Sequence, residues 1–116
     1  MRCSRFGFFR SPQFLRRASS EQQQALRHLL ERHQRGEAGL PLLELLQAVG
    51  ALPASVRRKQ ELEREDLNRY KTLGRLLNDL EGLVMAKKVS GEGQGYCLHY
   101  SLSSAGAKWL ERVLDP

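Results

Sequence analysis

The chain has 116 residues, which is enough for one domain with a modest hydrophobic core. Hydrophobic residues make up 41% of it, but no uninterrupted apolar run approaches the roughly 20 residues that span a bilayer, so a membrane-spanning helix is excluded. A formal net charge of +6 and a pI of about 9.8 fit an anionic partner without identifying it. The two cysteines, Cys3 and Cys97, have no C-x-x-C spacing and no histidine cluster beside them, so we expect reduced thiols without a structural role.

The first 19 residues form a basic arm. They contain five arginines, four phenylalanines and no acidic residue, and Gly7 and Ser11-Pro12 interrupt regular structure. Three interpretations are open. The arm is a poorly ordered terminus whose aromatic rings dock locally, a segment that reaches phosphates or a neighbouring groove of nucleic acid, or an organellar transit peptide.

Two amphipathic helices are predicted next. Ser20 to Gln23 fits a capping box at the start of the first helix, whose apolar face continues until Gly36. Pro41 stands where a first helical residue is expected, and the leucine-rich helix that follows it ends at Gly50. We assign both helices to a three-helix core.

Residues 53–72 allow two interpretations. One long helix runs from Ser55 to Leu80, or a helix over about residues 55–65 precedes a second helix capped near Asp66. We favour helix throughout, with or without a break near Glu65-Asp66, because apolar residues approximate one continuous stripe. These residues are Leu62, Leu67, Tyr70, Leu73, Leu77 and Leu80. The spacing of Glu61 and Arg64, and of Glu65 and Arg69, suits ion pairs along a solvated helix.

The second half of the chain predicts a helix, a hairpin and a last helix. Leucines recur at i, i+3, i+4 and i+7 from Leu73 to Leu80, and Gly82 can supply the positive φ that ends a helix. Residues 84–89 and 96–102 flank a glycine-rich turn, which is typical of a β-hairpin. In the second strand apolar residues alternate with polar ones, so one face lies on the core. That face comprises Tyr96, Leu98, Tyr100 and Leu102.

A serine begins the last helix. Ser103 or Ser104 can cap it, and an apolar face then returns to the core. The residues of that face are Ala107, Trp109, Leu110 and Val113.

This order of elements resembles the C-terminal half of a winged helix-turn-helix domain of the bacterial and archaeal transcription-regulator type. The matching phrases are Leu80-Glu-Gly-Leu-Val84, at the end of the family's recognition helix, and Tyr100-Ser-Leu-Ser-Ser-Ala-Gly106, at the start of its final helix. The family usually separates the Glu and the Gly of the first phrase by two or three residues, and here they are adjacent. The resemblance implies an α+β, mainly α, fold over residues 20–116 with a three-helix core, a two-stranded β wing and a C-terminal helix. It implies a sequence-specific transcriptional regulator that binds double-stranded DNA.

Groove chemistry then selects candidate contacts. A helix fits the major groove, where its side chains must donate or accept hydrogen bonds. The helix candidates are Asn68, Arg69, Lys71, Thr72 and Arg75. The hairpin candidates, for phosphates or the minor groove, are Lys87, Lys88, Gln94 and His99. Arg57, Arg58 and Lys59 fit DNA contact and a solvated helix equally well. One helical reader covers few base pairs, so we expect a homodimer on a two-fold site.

A rival interpretation is a winged-helix module for protein–protein contact within a larger complex. Its support is that five of the six net positive charges lie in residues 1–19, which leaves residues 20–116 nearly neutral. We expect no catalysis, because the sequence suggests no Ser/His/Asp or Cys/His arrangement and no phosphate-cradling loop. We also expect no cofactor, no bound metal and no membrane contact, and no small-molecule ligand is evident. The expected location is cytoplasmic and associated with the nucleoid, with organellar import through the arm as the alternative.

Overall fold

The computed structural model describes residues 20–90 and 95–114. These residues form four helices and a three-stranded antiparallel sheet, so the predicted α+β, mainly helical class is confirmed. In chain order the elements are α1 (Ser20–Gln34), β1 (Leu40–Pro41), α2 (Leu42–Ala48), α3 (Arg64–Asp79), β2 (Val84–Ser90), β3 (Tyr96–Leu102) and α4 (Ser104–Leu114), with a 3-10 turn (Lys59–Glu61) between α2 and α3. None of the helices in this part of the chain is long and apolar enough to cross a bilayer.

One hydrophobic core joins all four helices and the sheet. It consists mostly of leucines, and each leucine that is fully buried contributes about 1.5–3 kcal/mol through the apolar surface it removes from water. Fully buried members are Leu26 and Leu29 of α1, Leu45 and Leu46 of α2, Leu73 and Leu77 of α3, and Leu110 of α4. The predicted apolar faces of the first three helices therefore meet in one core.

The first three helices end just before the glycines that were predicted to stop them. The φ angles of Gly36, Gly50 and Gly82 are +72°, +79° and +89°, and these glycines follow α1, α2 and α3 in turn. Positive φ is unfavourable for other residues, so glycine lets the chain leave each helix at low cost. The predicted capping box at Ser20 lies at the edge of the described residues and stays a prediction.

The short strand β1 was not predicted. Leu40 and Pro41 pair with Tyr100 and His99 of β3, so Pro41 ends a strand and α2 begins one residue later. The prediction of Pro41 as the first helical residue is wrong because its ψ of 154° is extended. Proline is tolerated at this position because β1 is an edge strand, where an N–H group is not required.

The prediction of helix throughout residues 55–80 is wrong. The chain between α2 and α3 is irregular except for the 3-10 turn, and α3 begins only at Arg64. The Gln47 side-chain amide donates to the carbonyl oxygens of Pro53 and Val56, and the Glu61 carboxylate accepts the backbone N–H groups of Arg57 and Arg58. These side-chain bonds satisfy backbone groups that a helix would otherwise pair, so the segment stays non-helical.

The predicted charge pairs are replaced by others. Because the Glu61 carboxylate binds backbone amides, the expected pair with Arg64 does not form. Arg69 pairs with Asp66 and Glu21 instead of with Glu65. The alternative start near Asp66 was closer to the structure, since Glu65 and Asp66 lie in the first turn of α3, where acidic side chains favour the positive end of the helix dipole.

The predicted hairpin is present, with β2 one residue longer than expected. The register pairs Val84 with Leu102 at the base and Ser90 with Tyr96 at the far end. Tyr100 and Leu102 are buried and Leu98 is half-buried, but Tyr96 is 61% exposed because the hairpin extends past the core there. The expected apolar face of β3 therefore holds for three of its four residues.

A serine ties the base of the hairpin to α4. Ser103 lies just before α4, and its hydroxyl donates to the Gly82 carbonyl oxygen at 2.8 Å and accepts the Gly106 N–H at 3.0 Å. Its own N–H donates to the Leu83 carbonyl oxygen at 3.0 Å. Ser103 is thus the predicted cap of the last helix. Ala107 and Leu110 of that helix are buried, and Trp109 and Val113 are partly buried against the core.

Candidate nucleic-acid interface

A polar stripe runs along the solvent side of α3. Its residues are spaced four and three apart, which places them on one face of a helix, and all five are exposed. They are Arg64, Asn68, Lys71, Arg75 and Asn78, and we call them the α3 stripe. Leu73 and Leu77 lie on the buried side of the same helix.

The α3 stripe carries three cations, two amides and no carboxylate. Within residues 20–90 and 95–114, no acidic side chain forms an ion pair with Arg64, Lys71 or Arg75. Guanidinium and ammonium groups donate hydrogen bonds to phosphates and to guanine, and the asparagine amide both donates and accepts, as adenine requires. The stripe therefore has the hydrogen-bonding groups that duplex DNA accepts in its major groove.

Two of the predicted helix contacts lie off the stripe. Arg69 faces α1, since its guanidinium lies 3.7 Å from the Glu21 carboxylate and 3.3 Å from that of Asp66. Thr72 is exposed on the same flank, where it lines a pocket with Glu21 and Arg69, and Asn68 at the edge of the stripe also borders this pocket. The structure thus groups Asn68, Lys71 and Arg75 of the predicted set and sets Arg69 apart.

The predicted basic residues before α3 line a separate groove. Arg57, Arg58 and Lys59 are exposed, and they border a cavity of about 780 Å³ together with Tyr70 of α3 and Tyr96 of β3. The Lys59 ammonium lies 5.5 Å from the centre of the Tyr70 ring. We call this cavity the basic-aromatic groove.

The hairpin candidates do not share one face. Lys87 is directly opposite His99, whereas Lys88 is opposite Leu98, and side chains alternate between the two faces of a sheet. Lys88 contacts Tyr96, with its ammonium 4.6 Å from the centre of the ring. Lys87 and Lys88 are exposed and His99 is partly buried. Gln94 lies outside the described residues.

Sequence reasoning missed Arg64 and Asn78 of the α3 stripe. Both could have been found from helical phase, because Arg64 is seven residues before Lys71 and Asn78 is seven residues after it. The expectation of one long helix hid Arg64, since it treated that residue as half of a charge pair. The basic-aromatic groove could not be found this way, because its members come from separate segments.

Two tyrosines near the groove have altered titration. Burial raises the pKa of Tyr70, and the neighbouring Cys97 raises it further. Burial also raises the pKa of Tyr100, with smaller contributions from Tyr70 and Cys97. These hydroxyls therefore stay protonated at neutral pH and can donate hydrogen bonds.

In the part of the chain that the structure describes, no three His, Cys, Asp or Glu side chains come together as a metal site would require. The free Cys97 is exposed. Comparison of the chain with known protein families, with curated proteins and with solved structures found no match.

Proposed function

We propose that the chain is a winged-helix protein that binds double-stranded DNA and regulates transcription. In this proposal α3 enters the major groove and the β2–β3 hairpin acts as the wing against phosphates or the minor groove. The observation that carries the proposal is the α3 stripe, a row of exposed cations and amides without a carboxylate on a helix whose other side is buried.

The division of roles follows from donor geometry. Arg75 is suited to the O6 and N7 acceptors of guanine, and Asn68 and Asn78 are suited to adenine. Lys71 and Arg64 are suited to phosphates, to which an ammonium or a guanidinium donates without reading the sequence. The helix and hairpin of one chain span few base pairs, so the proposed active species is a homodimer on a two-fold site.

The test is a salt titration. The full-length protein should bind mixed-sequence duplex DNA, and the logarithm of its association constant should fall linearly with the logarithm of salt concentration, by about 0.9 for each phosphate contacted. Lys71→Ala should reduce the magnitude of this slope by about 0.9, the value for one phosphate contact. The matched control is Arg112→Ala, which removes one exposed cation from α4, and its slope should equal that of the wild type.

A second candidate is a protein–protein interaction module without DNA affinity. It is favoured by the near neutrality of residues 20–116, since a net charge close to zero gives little general attraction to a polyanion. The same titration separates the two. Undetectable DNA binding at low salt would reject the DNA proposal and favour the module.

A further inference from the structure

The basic-aromatic groove lies apart from the α3 stripe. Its walls are α2, the irregular segment before α3, Tyr70 and the start of β3. Tyr70 lies on the side of α3 that meets α2, one helical turn from Gly74, which packs close to Leu42. Lys71 and Arg75 of the stripe do not line the groove.

Charge in the groove favours an anion. Arg57, Arg58 and Lys59 border it, and of the described residues lining it Glu44 alone is acidic. The Glu61 carboxylate accepts the backbone N–H groups of Arg57 and Arg58, and among the described residues no acidic side chain forms an ion pair with either guanidinium. The two guanidinium groups are therefore left to meet a ligand.

The groove also offers aromatic surface. Tyr96 is 61% exposed, and the Lys88 ammonium lies 4.6 Å from the centre of its ring. Tyr70 is a second ring that lines the groove, with Lys59 against it. Leu43 adds apolar surface to the lining. A planar group can stack on such rings, and Lys59, which lines the groove, can meet an attached anion.

The segment that carries the arginines is held in place. The Gln47 amide of α2 donates to two carbonyl oxygens of this segment, those of Pro53 and Val56. Since Glu61 holds the other end, the backbone that carries the arginines is positioned before a ligand arrives, and less backbone entropy is lost on binding.

We propose that the basic-aromatic groove binds a nucleotide, with its base stacked on Tyr96 and its phosphate held by Arg57 and Arg58. A bare phosphate would use only the basic residues of the groove, and an uncharged aromatic molecule would use only its rings. The volume of about 780 Å³ lies within the range of small-molecule sites. Base pairs inside a duplex do not expose their faces, so the ligand is a free nucleotide or an unpaired nucleotide of a strand, and the site is distinct from the proposed duplex site.

The test is binding of three probes to the full-length protein by isothermal titration calorimetry. AMP should bind saturably, with a dissociation constant at or below about 1 mM, and adenosine and inorganic phosphate should each bind at least about tenfold more weakly. Tyr96→Ala and the double variant Arg57→Ala/Arg58→Ala should weaken AMP binding at least about tenfold. Tyr96→Phe keeps the ring and should retain binding. The circular dichroism spectrum of Tyr96→Ala should equal that of the wild type, which separates loss of stacking from a folding defect.

Arg112→Ala is the matched control for lost charge and should leave AMP binding unchanged. No saturable AMP binding up to about 5 mM would overturn the proposal, as would unchanged binding in both groove variants. A tetranucleotide of deoxyadenosine identifies the source. Binding much tighter than that of AMP indicates an unpaired strand, and equal binding indicates a free nucleotide.

The proposed nucleotide site and the proposed duplex site can be rejected independently. Lys71→Ala should leave AMP affinity unchanged, because Lys71 does not line the groove. Loss of AMP binding in Lys71→Ala would show that the two are one site and overturn the separate groove. Absence of duplex binding together with intact AMP binding would reject the proposed regulator and keep the nucleotide site.

Discussion

Side chains on α3 have different roles according to their position around the helix. Arg69 is 50% exposed yet has two carboxylate partners, one on its own helix and one on α1, whereas Arg75 is exposed on the stripe. Half-exposed ion pairs are worth at most about 1 kcal/mol, so the Arg69 pairs orient the side chain more than they stabilise the fold. An arginine oriented in this way has its donors turned toward carboxylates, so Arg75 is the better reader of the two.

Arg75→Ala therefore gives the sharpest test at a single position. We expect it to weaken binding to a selected DNA site by about 1–3 kcal/mol and to relax the preference at the contacted base pair. The measurement is competition binding with the selected site and single-base variants of it. Arg69→Ala is the comparison variant, and we expect a smaller loss. Equal affinity of the Arg75 variant and the wild type would remove Arg75 from the reading surface.

At the scale of elements, α4 is in close contact with the chain that links α3 to β2. A Cβ atom added to Gly106 would overlap the Leu83 carbonyl, so the first turn of α4 lies directly on the chain that leaves α3. Glycine inside a helix normally lowers stability by roughly 0.5–1 kcal/mol relative to alanine. Here the absence of a Cβ atom is what allows the contact.

Gly106→Ala should therefore destabilise the domain, against the usual helix propensity. We expect a loss of about 1–3 kcal/mol in the free energy of unfolding, because the backbone must shift to relieve the overlap. Urea denaturation followed by circular dichroism measures it. Lys108→Ala, at an exposed position of the same helix, should change stability by less than about 0.5 kcal/mol. A gain in stability for Gly106→Ala would show that the contact is looser than described.

Elements governed by local rules could be predicted from the sequence. The leucine period set the buried side of α3, glycine placed the helix ends, and Ser103 was one of two serines expected to cap the last helix. Segments that depend on distant partners could not be predicted. Leu40 and Pro41 form a strand because Tyr100 and His99 lie beside them, and the chain before Arg64 is irregular because Gln47 holds it.

The candidate site divides in the same way. Helical phase was sufficient for Asn68, Lys71 and Arg75, whose positions on α3 follow from the leucines. Phase could not show that Arg69 meets Glu21 of another helix, nor that Lys59 lies against Tyr70. Lys87 and Lys88 were grouped because they are neighbours in the chain, although the strand turns them to opposite faces.

For the whole molecule, the raised tyrosine pKa values link stability to pH. In the folded chain the pKa values of Tyr70 and Tyr100 are raised above the ordinary value of 10.0. Their contribution to stability is fully present below pH 10.0 and is lost as the pH rises through the higher folded pKa values, because the unfolded chain releases its protons first. The domain should therefore lose stability in strong alkali.

We expect Tyr100→Phe to reduce this alkaline loss. The measurement is urea denaturation at about pH 8 and about pH 11, with the difference in unfolding free energy compared between variant and wild type. Tyr96→Phe changes an exposed ring and should keep the wild-type difference. If Tyr100→Phe also keeps it, ionisation of Tyr100 is not coupled to unfolding.

The hydroxyl of Ser103 has a consequence for how the hairpin could vary. It donates to Gly82, just before β2, and accepts from Gly106, just after β3. These bonds hold together the two ends of the hairpin that lie on the core. Extra residues inserted beyond Ser90 would then be absorbed at the outer end, and the helices would keep their positions. The hairpin could therefore become longer or shorter without a change in how the helices pack.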